Sequence, residues 1–348
     1  MKTNLKNLTI EELKQFCTGE GMQSYRALQI FRWIWKKDKS SFFDISTISR
    51  KRREMLEEKA ELPQLHKLEV LTSTDRTIKF LFGLPDGEVV ESVYIPTKKR
   101  KTVCISTQIG CPLNCTFCMT GRTGFIRNLS PWEIADQVRR VESIIGVRIT
   151  NVVLMGMGEP LLNYENVLKA IKILNSDTGM NIGARKITLS TAGIVPGIQK
   201  LALEPLQIKL AISLNAATDE KREKLMPINK KYNLRRLFDG LDYYVSMKKK
   251  RITFEYVLIK GFNDFLKDAK ELAAITEGIP CKINIIPFNS IDNKVFKRPN
   301  SKMIKKFVDF LYPIAQAVTL RESRGTDIEA ACGQLRIRSK RTSHKSTS

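Results

Sequence analysis

The chain has 348 residues, of which 42% are hydrophobic and 27% charged, as is typical of a folded globular protein. Its net charge is +23, which favours a polyanion such as RNA or DNA as partner. No apolar run approaches the roughly 18 residues of a membrane helix, and the N-terminus lacks the layout of a secretory signal. We therefore expect a cytoplasmic protein without a membrane partner.

Residues 1–65 predict a small, mostly helical accessory domain. Thr9 and Glu12 form a capping-box pattern, and a helix-forming stretch at 24–37 carries Trp33 and Trp35, which we assign to the core. The basic run Arg50–Arg53 lies in the same part of the chain.

Residues 66–101 predict a β-rich connector with strands near 69–71, 77–82 and 88–95. Glu91 lies within the third of these strands. From this stretch alone, it reads as a solvent-facing residue of an edge strand.

From residue 102 to 334, strand and helix patterns alternate, which predicts βαβ units and a parallel sheet. Six such units fall short of a closed eight-fold barrel, so we predict an α/β fold, a partial (βα)₆ TIM-like barrel. A further apolar run follows at 317–320, and residues 335–348 form a basic tail. The predicted strands are 102–107, 151–156, 186–191, 208–214, 252–259 and 282–287, and the predicted helices are about 130–144, 163–175, 196–203, 234–247, 264–277 and 300–314.

Three cysteines, Cys111, Cys115 and Cys118, follow the first barrel strand at CxxxCxxC spacing. Thiolates this close hold a soft metal or an iron–sulfur cluster. A [4Fe–4S] cluster normally has four thiolates, so three would leave one iron open. A structural zinc site is the alternative, but it needs four ligands, and the chain has two histidines and no second CxxC.

Polar or glycine-rich stretches follow other predicted strands, where a barrel places its active site. They comprise Met155–Pro160, Ser190–Thr191, Ser213–Asn215 and Asn289. Cys332 lies in a polar loop near the end of the chain, whereas Cys17 and Cys281 are assigned as buried apolar residues.

The cysteine motif followed by GMGEP resembles the radical S-adenosylmethionine (SAM) superfamily. Residues 111–130 and 324–335 resemble its RNA adenine methyltransferases, the RlmN/Cfr group. The resemblance implies a [4Fe–4S] cluster on Cys111, Cys115 and Cys118 whose open iron chelates SAM. It implies SAM contacts from Gly158, Glu159, Ser190, Ser213, Leu214, Asn215 and Asn289. Asn215 stands where many relatives have His.

The same resemblance implies a mechanism. SAM would methylate Cys332, and a second SAM would supply a radical that activates this methyl group for addition to adenine. Cys104 would then attack the Cys332 sulfur, which releases the product and leaves a transient disulfide. Glu91 matches the proton acceptor of the family.

The implied substrate is carbon 2 of an adenosine in 23S rRNA, with tRNA as a second substrate. The resemblance implies an electron donor such as flavodoxin or ferredoxin, and we expect a monomer. Two alternatives stay open: methylation at carbon 8, as in the Cfr branch, and a non-catalytic RNA-binding metalloprotein.

Overall fold

The computed structural model describes residues 2–290 and 295–336. Most of the predicted basic tail, residues 337–348, lies outside the described residues. The described residues form eleven α-helices: α1 (Ile10–Gly19), α2 (Tyr25–Trp35), α3 (Arg50–Lys59), α4 (Met119–Arg122), α5 (Pro131–Ile145), α6 (Tyr164–Asn175), α7 (Val195–Leu203), α8 (Asp219–Leu225), α9 (Leu234–Lys248), α10 (Leu266–Thr276) and α11 (Ser301–Leu311).

Fourteen strands accompany these helices within the same described residues. They are β1 (Thr3–Asn4), β2 (Ala60–Glu61), β3 (His66–Thr72), β4 (Ile78–Gly83), β5 (Val89–Pro96), β6 (Lys101–Cys104), β7 (Gln108–Gly110), β8 (Phe125–Asn128), β9 (Asn151–Leu154), β10 (Ile187–Thr191), β11 (Lys209–Ser213), β12 (Ile252–Leu258), β13 (Cys281–Pro287) and β14 (Val318–Leu320).

Ten of the strands form one sheet in the order β14-β13-β12-β11-β10-β9-β6-β5-β4-β3. From β6 to β14 every neighbouring pair is parallel, as expected for strands joined by crossover helices. The six predicted βα units are confirmed, and the apolar run at 317–320 adds β14 as a seventh parallel strand. The carboxyl ends of these strands therefore meet on one side of the sheet.

Strands β3, β4 and β5 extend the same sheet in antiparallel fashion beside β6. The edge position is taken by the mostly exposed β3, whereas β5 pairs on both sides and is buried along most of its length. Glu91 is only 1% exposed, so its assignment to the solvent face of an edge strand is wrong. Glu91 is instead enclosed within the sheet, so its carboxylate depends on hydrogen-bond and ion-pair partners from the protein.

The N-terminal helices behave as their sequence predicts. The Thr9–Glu12 capping box forms, Trp35 is fully buried and Trp33 is partly buried against the core. Lys6 reaches the barrel helix α5, where its ammonium lies 2.5 Å from Asp136. The predicted domain boundaries at 65 and 101 stay a prediction. None of the described helices is long and apolar enough to cross a membrane.

Candidate active site

A cavity opens at the carboxyl ends of the parallel strands, where a barrel of this kind places its chemistry. Ten residues predicted from the sequence line it: Cys111, Cys115, Cys118, Gly158, Glu159, Ser190, Ser213, Asn215, Asn289 and Cys332. Residues far apart in the chain are thus brought to one place. Three other predicted residues, Glu91, Cys104 and Leu214, are buried and do not line it.

The cysteine loop is flanked by two short antiparallel strands that the sequence did not predict. Strand β7 before the loop pairs with β8 after it, and the Cys111 N–H donates to the Gly124 carbonyl at 2.7 Å. Gly121 lies against the loop so closely that a Cβ there would be 2.9 Å from the Cys115 nitrogen. Backbone packing therefore holds the three cysteines in a compact loop.

Cys111 of this loop is buried, Cys115 and Cys118 are partly exposed, and the three thiols act electrostatically on one another. Burial raises the pKa of Cys111 to about 12. Burial, followed by repulsion from Cys118 and Cys111, raises the pKa of Cys115 well above its ordinary value. Without a bound cation, Cys111 and Cys115 thus favour the neutral thiol, whereas a bound metal would favour the thiolate.

The segment that carries Cys332, residues 328–336, is tied to the cysteine loop, and we call it the C-terminal segment. The Met119 N–H donates to the Gly333 carbonyl at 2.8 Å, and the Thr120 hydroxyl donates to the Leu335 carbonyl at 2.6 Å. These bonds bridge more than two hundred residues of sequence. They place Cys332 beside the cysteine loop.

The Cys332 side chain is exposed, and its exposed surface faces the cavity. Asn289, in the loop that follows β13, holds Cys332 in place, because its amide donates to the Cys332 carbonyl at 3.1 Å. Among the described residues, the buried Asn289 Oδ1 has no hydrogen-bond partner. A polar ligand in the cavity would satisfy this acceptor.

Cys104 lies behind the C-terminal segment, where it packs with Val93, Met157, Ala330 and Leu335. Burial raises the pKa of its thiol to about 12, and the nearby Cys332 thiol contributes. The two thiols are therefore close enough to influence each other's ionisation, with Cys332 facing the cavity and Cys104 enclosed beneath the C-terminal segment.

Glu91 lies on β5, next to the strand that carries Cys104. Its carboxylate is 3.7 Å from the ammonium of the equally buried Lys79 and accepts the Arg336 N–H at 3.1 Å. Lys79 also donates to the Glu329 carbonyl at 3.1 Å. These contacts bind Glu91 to the C-terminal segment.

The glycines of the GMGEP turn are required by close packing. Gly158 has φ +102°, and a Cβ there would lie 2.6 Å from the Gln108 side chain. The following Glu159 is 3% exposed, and its two carboxylate oxygens accept the N–H groups of Leu161 at 3.0 Å and Ala192 at 2.7 Å. Burial raises its pKa to about 7.

Asn215 is buried at φ +60°, a conformation that asparagine tolerates better than most residues. Its side-chain oxygen accepts the Val257 N–H at 3.0 Å, and its amide contacts the Met226 sulfur at 3.2 Å. Asn215 therefore shapes the cavity wall through β12. Its neighbour Leu214 packs in the core.

Comparison with known proteins assigns the chain to a family. A family model described as the radical SAM superfamily matches residues 105–273, and one described as a ribosomal RNA large subunit methyltransferase N-terminal domain matches residues 3–62. A dual-specificity RNA methyltransferase RlmN from Pelobacter propionicus is 44% identical over 96% of each chain. The chain belongs to the RlmN family of radical SAM methyltransferases.

Further relatives agree with this family. A probable dual-specificity RNA methyltransferase RlmN from Caldicellulosiruptor saccharolyticus is 45% identical and covers 99% of this chain and 100% of its own. The crystal structure of a radical SAM methyltransferase from Sphaerobacter thermophilus superposes with a TM-score of 0.90 at 41% identity, over 96% of this chain and 99% of that one. The radical SAM fold predicted from the sequence is confirmed.

Membership of the radical SAM family makes a [4Fe–4S] cluster and SAM the cofactors of this enzyme. The donor set fits a cluster, because three thiols of one loop line the cavity and act electrostatically on one another. Within residues 2–290 and 295–336, no three His, Cys, Asp or Glu side chains are grouped as ligands of a single metal ion.

Two charged residues that the sequence did not single out, Glu255 and Arg321, act electrostatically on the Cys332 thiol. Glu255 of β12 is buried, accepts the Asn284 amide at 2.9 Å and lies 3.6 Å from the Arg321 guanidinium. Glu255 and Arg321 line the cavity. The available signal was a glutamate inside the apolar run 252–259. Its importance depends on Arg321, which is 66 positions away in the chain.

Proposed function

We propose that this enzyme methylates carbon 2 of an adenosine in 23S rRNA and in tRNA, acting as a monomer. The observation that carries the proposal is the position of Cys332, which shares one cavity with the three loop cysteines and interacts electrostatically with the buried Cys104 thiol. The dual specificity for RNA in the names of the relatives supports the substrate class.

In this proposal Cys111, Cys115 and Cys118 hold the cluster. Gly158, Glu159, Ser190, Ser213, Leu214, Asn215 and Asn289 contact SAM. When bound, the cluster and SAM supply the methyl group and the one-electron chemistry that an unreactive adenine carbon requires.

The chain contributes two thiols, that of Cys332 on the C-terminal segment and that of Cys104 packed beneath the same segment. Cys332, which faces the cavity, carries the methyl carbon and forms the covalent link to the adenine. The Cys104 thiolate then attacks the Cys332 sulfur, and the electron pair of the broken carbon–sulfur bond stays with the carbon, which is protonated. The two cysteines end as a disulfide, which an external reductant opens.

Glu91 accepts the proton that leaves carbon 2. Its buried position gives it a defined orientation, because Lys79 and the Arg336 N–H hold its carboxylate. An electron donor of the flavodoxin or ferredoxin type would supply the electron that the radical chemistry requires.

The test is nucleoside analysis of RNA treated with the cluster-loaded enzyme, SAM and a reductant. We expect 2-methyladenosine in digests of 23S rRNA and of tRNA. Methyl groups at carbon 8 would contradict the position, and unmodified adenosine would contradict the function.

A pair of cysteine variants separates chemistry from binding. Cys332→Ala should abolish methylation while RNA binding persists. Cys281→Ala serves as the control, because Cys281 is buried in the core away from the cavity. Methylation by Cys332→Ala at the wild-type level would contradict the thiol mechanism.

A further inference from the structure

Five cationic residues lie at the amino ends of the parallel strands, the end opposite to the candidate active site. Each starts its strand or lies within one residue of that start, on β6, β10, β11, β12 and β13. We call this group the cationic mouth: Arg100, Lys186, Lys209, Arg251 and Lys282.

Strand geometry directs these side chains to the inner surface of the barrel. Side chains alternate along a strand, so Lys209 shares a face with Ser213, and Lys186 shares a face with Ser190. Both serines line the cavity. The cationic mouth is therefore the other end of the surface that forms the candidate active site.

The positive charges of the cationic mouth are close together and lack acidic partners. Burial, followed by repulsion from Arg100, Lys186 and Arg251, lowers the pKa of Lys209. Within residues 2–290 and 295–336, none of the five forms an ion pair with a carboxylate. Glu255, whose charge acts on Lys282, lies four residues further along β12 than Arg251 and is itself within 3.6 Å of the Arg321 guanidinium.

Four of the five residues are exposed, and Lys282 is partly exposed. Such a cluster of like charges is unfavourable in the free protein, because each charge raises the energy of the others. A solvent-accessible group of this kind gains most from a ligand that carries several negative charges at once.

We propose that the cationic mouth binds the phosphate backbone of the RNA substrate, at a site separate from the adenosine pocket. Neighbouring strands lie about 4.8 Å apart, so the row from β6 to β13 spans roughly 24 Å. This length fits a run of several phosphates rather than one small anion. Lys and Arg contacts of this type position an RNA without reading its sequence.

The distance along the strands determines which RNA can use both sites. Val257, which lines the cavity, lies six residues after Arg251 along β12. At 3.3 Å per residue, the two positions are about 20 Å apart. A large structured RNA can reach both ends of the barrel, whereas a short hairpin in the adenosine pocket cannot. The inference rests on the proposed function, because that function supplies the RNA.

The experiment measures equilibrium binding of an unmodified tRNA transcript to the full-length, cluster-loaded protein without SAM, over a series of salt concentrations. The test variant is Lys186→Gln/Lys209→Gln/Arg251→Gln. The control, Lys267→Gln/Lys302→Gln/Lys306→Gln, removes three exposed charges from α10 and α11 on the outside of the barrel. The two variants have the same net charge.

We expect the test variant to bind at least tenfold more weakly at 0.15 M salt, with a slope of log K against log salt smaller in magnitude by about 3. Binding by the control variant should change less than twofold. Single variants Lys209→Gln and Arg251→Gln, which keep most of the surface intact, should each reduce the slope by about 1.

Equal losses in the two triple variants, or no loss in either, would overturn the inference. Nucleoside analysis of the wild-type enzyme keeps this result separate from the proposed function. If the wild type methylates RNA and both triple variants bind RNA equally well, the proposal for the cationic mouth is wrong and the proposed function stands. If the wild type does not methylate RNA and only the test variant loses RNA binding, the proposed function is wrong and the proposal for the cationic mouth stands.

Discussion

At the scale of single residues, burial sets the chemistry of the site more than residue type does. Glu91 and Glu159 are both enclosed, but Glu91 is paired with Lys79, whereas Glu159 accepts two backbone N–H groups. The same type of side chain is therefore held by an ion pair in one place and has a raised pKa in the other.

Glu159 predicts a specific dependence of stability on pH. Burial raises its folded pKa to about 7, above the ordinary value of 4.5, so its contribution to folding is complete below pH 4.5 and is lost as the pH rises through 7. In the cluster-free protein this loss amounts to about 3 kcal/mol of unfolding free energy.

The measurement is urea denaturation of the cluster-free protein between pH 4.5 and 8. In Glu159→Gln, the part of the fall in unfolding free energy between pH 4.5 and 8 that comes from Glu159 should disappear. Glu165→Gln, which changes an exposed residue of α6, should show the same pH dependence as the wild type. A Glu159→Gln curve parallel to the wild type would show that Glu159 titrates normally.

At the scale of elements, the cysteine loop and the C-terminal segment behave as one unit. Helix α4 has only four residues and could not stand alone, yet it supplies both hydrogen bonds to the C-terminal segment. The spacing of the three cysteines was evident from the sequence. Their attachment to Cys332 was not, because it depends on contacts between distant parts of the chain.

Thr120→Val should loosen this attachment. The buried Leu335 carbonyl would lose the hydroxyl that donates to it at 2.6 Å, at a cost of about 1–3 kcal/mol. Because the C-terminal segment covers Cys104, we expect faster alkylation of Cys104 by an iodoacetamide reagent, followed by peptide mass spectrometry.

Thr123→Val is the matched control, since the Thr123 hydroxyl donates to the Thr120 carbonyl within the same turn and not to the C-terminal segment as far as residue 336. It should leave the alkylation of Cys104 unchanged. Equal rates in both variants would mean that the Thr120 bond does not hold the segment in place.

At the scale of the whole molecule, the N-terminal helices are anchored to the barrel through Asp136. This fully buried carboxylate accepts the Lys6 ammonium at 2.5 Å and the Leu65 N–H at 2.9 Å. One side chain of α5 thereby holds both the beginning and the end of the N-terminal region.

Asp136→Asn should release this region. Removing one partner of a buried pair leaves the other charge uncompensated, which typically costs about 3–5 kcal/mol. We expect limited proteolysis to cut first within residues 2–65, together with a lower unfolding free energy in denaturant. Asp44→Asn is the control, because its carboxylate lies in a partly exposed pair 3.9 Å from Lys39 and should change stability by less than about 0.5 kcal/mol.

The sequence by itself determined what depends on short-range patterns. The CxxxCxxC spacing, the capping box at Thr9 and the alternation of strands and helices all depend on residues a few positions apart. They were sufficient to predict the partial barrel and ten of the cavity-lining residues.

Tertiary structure alone decided what depends on distant contacts. It buried Glu91 by adding two strands outside β5, placed Glu255 against Arg321, and grouped five cations at the amino ends of the strands. The physical reason is that burial and electrostatic pairing arise from the approach of segments widely separated in the chain, which no local pattern records.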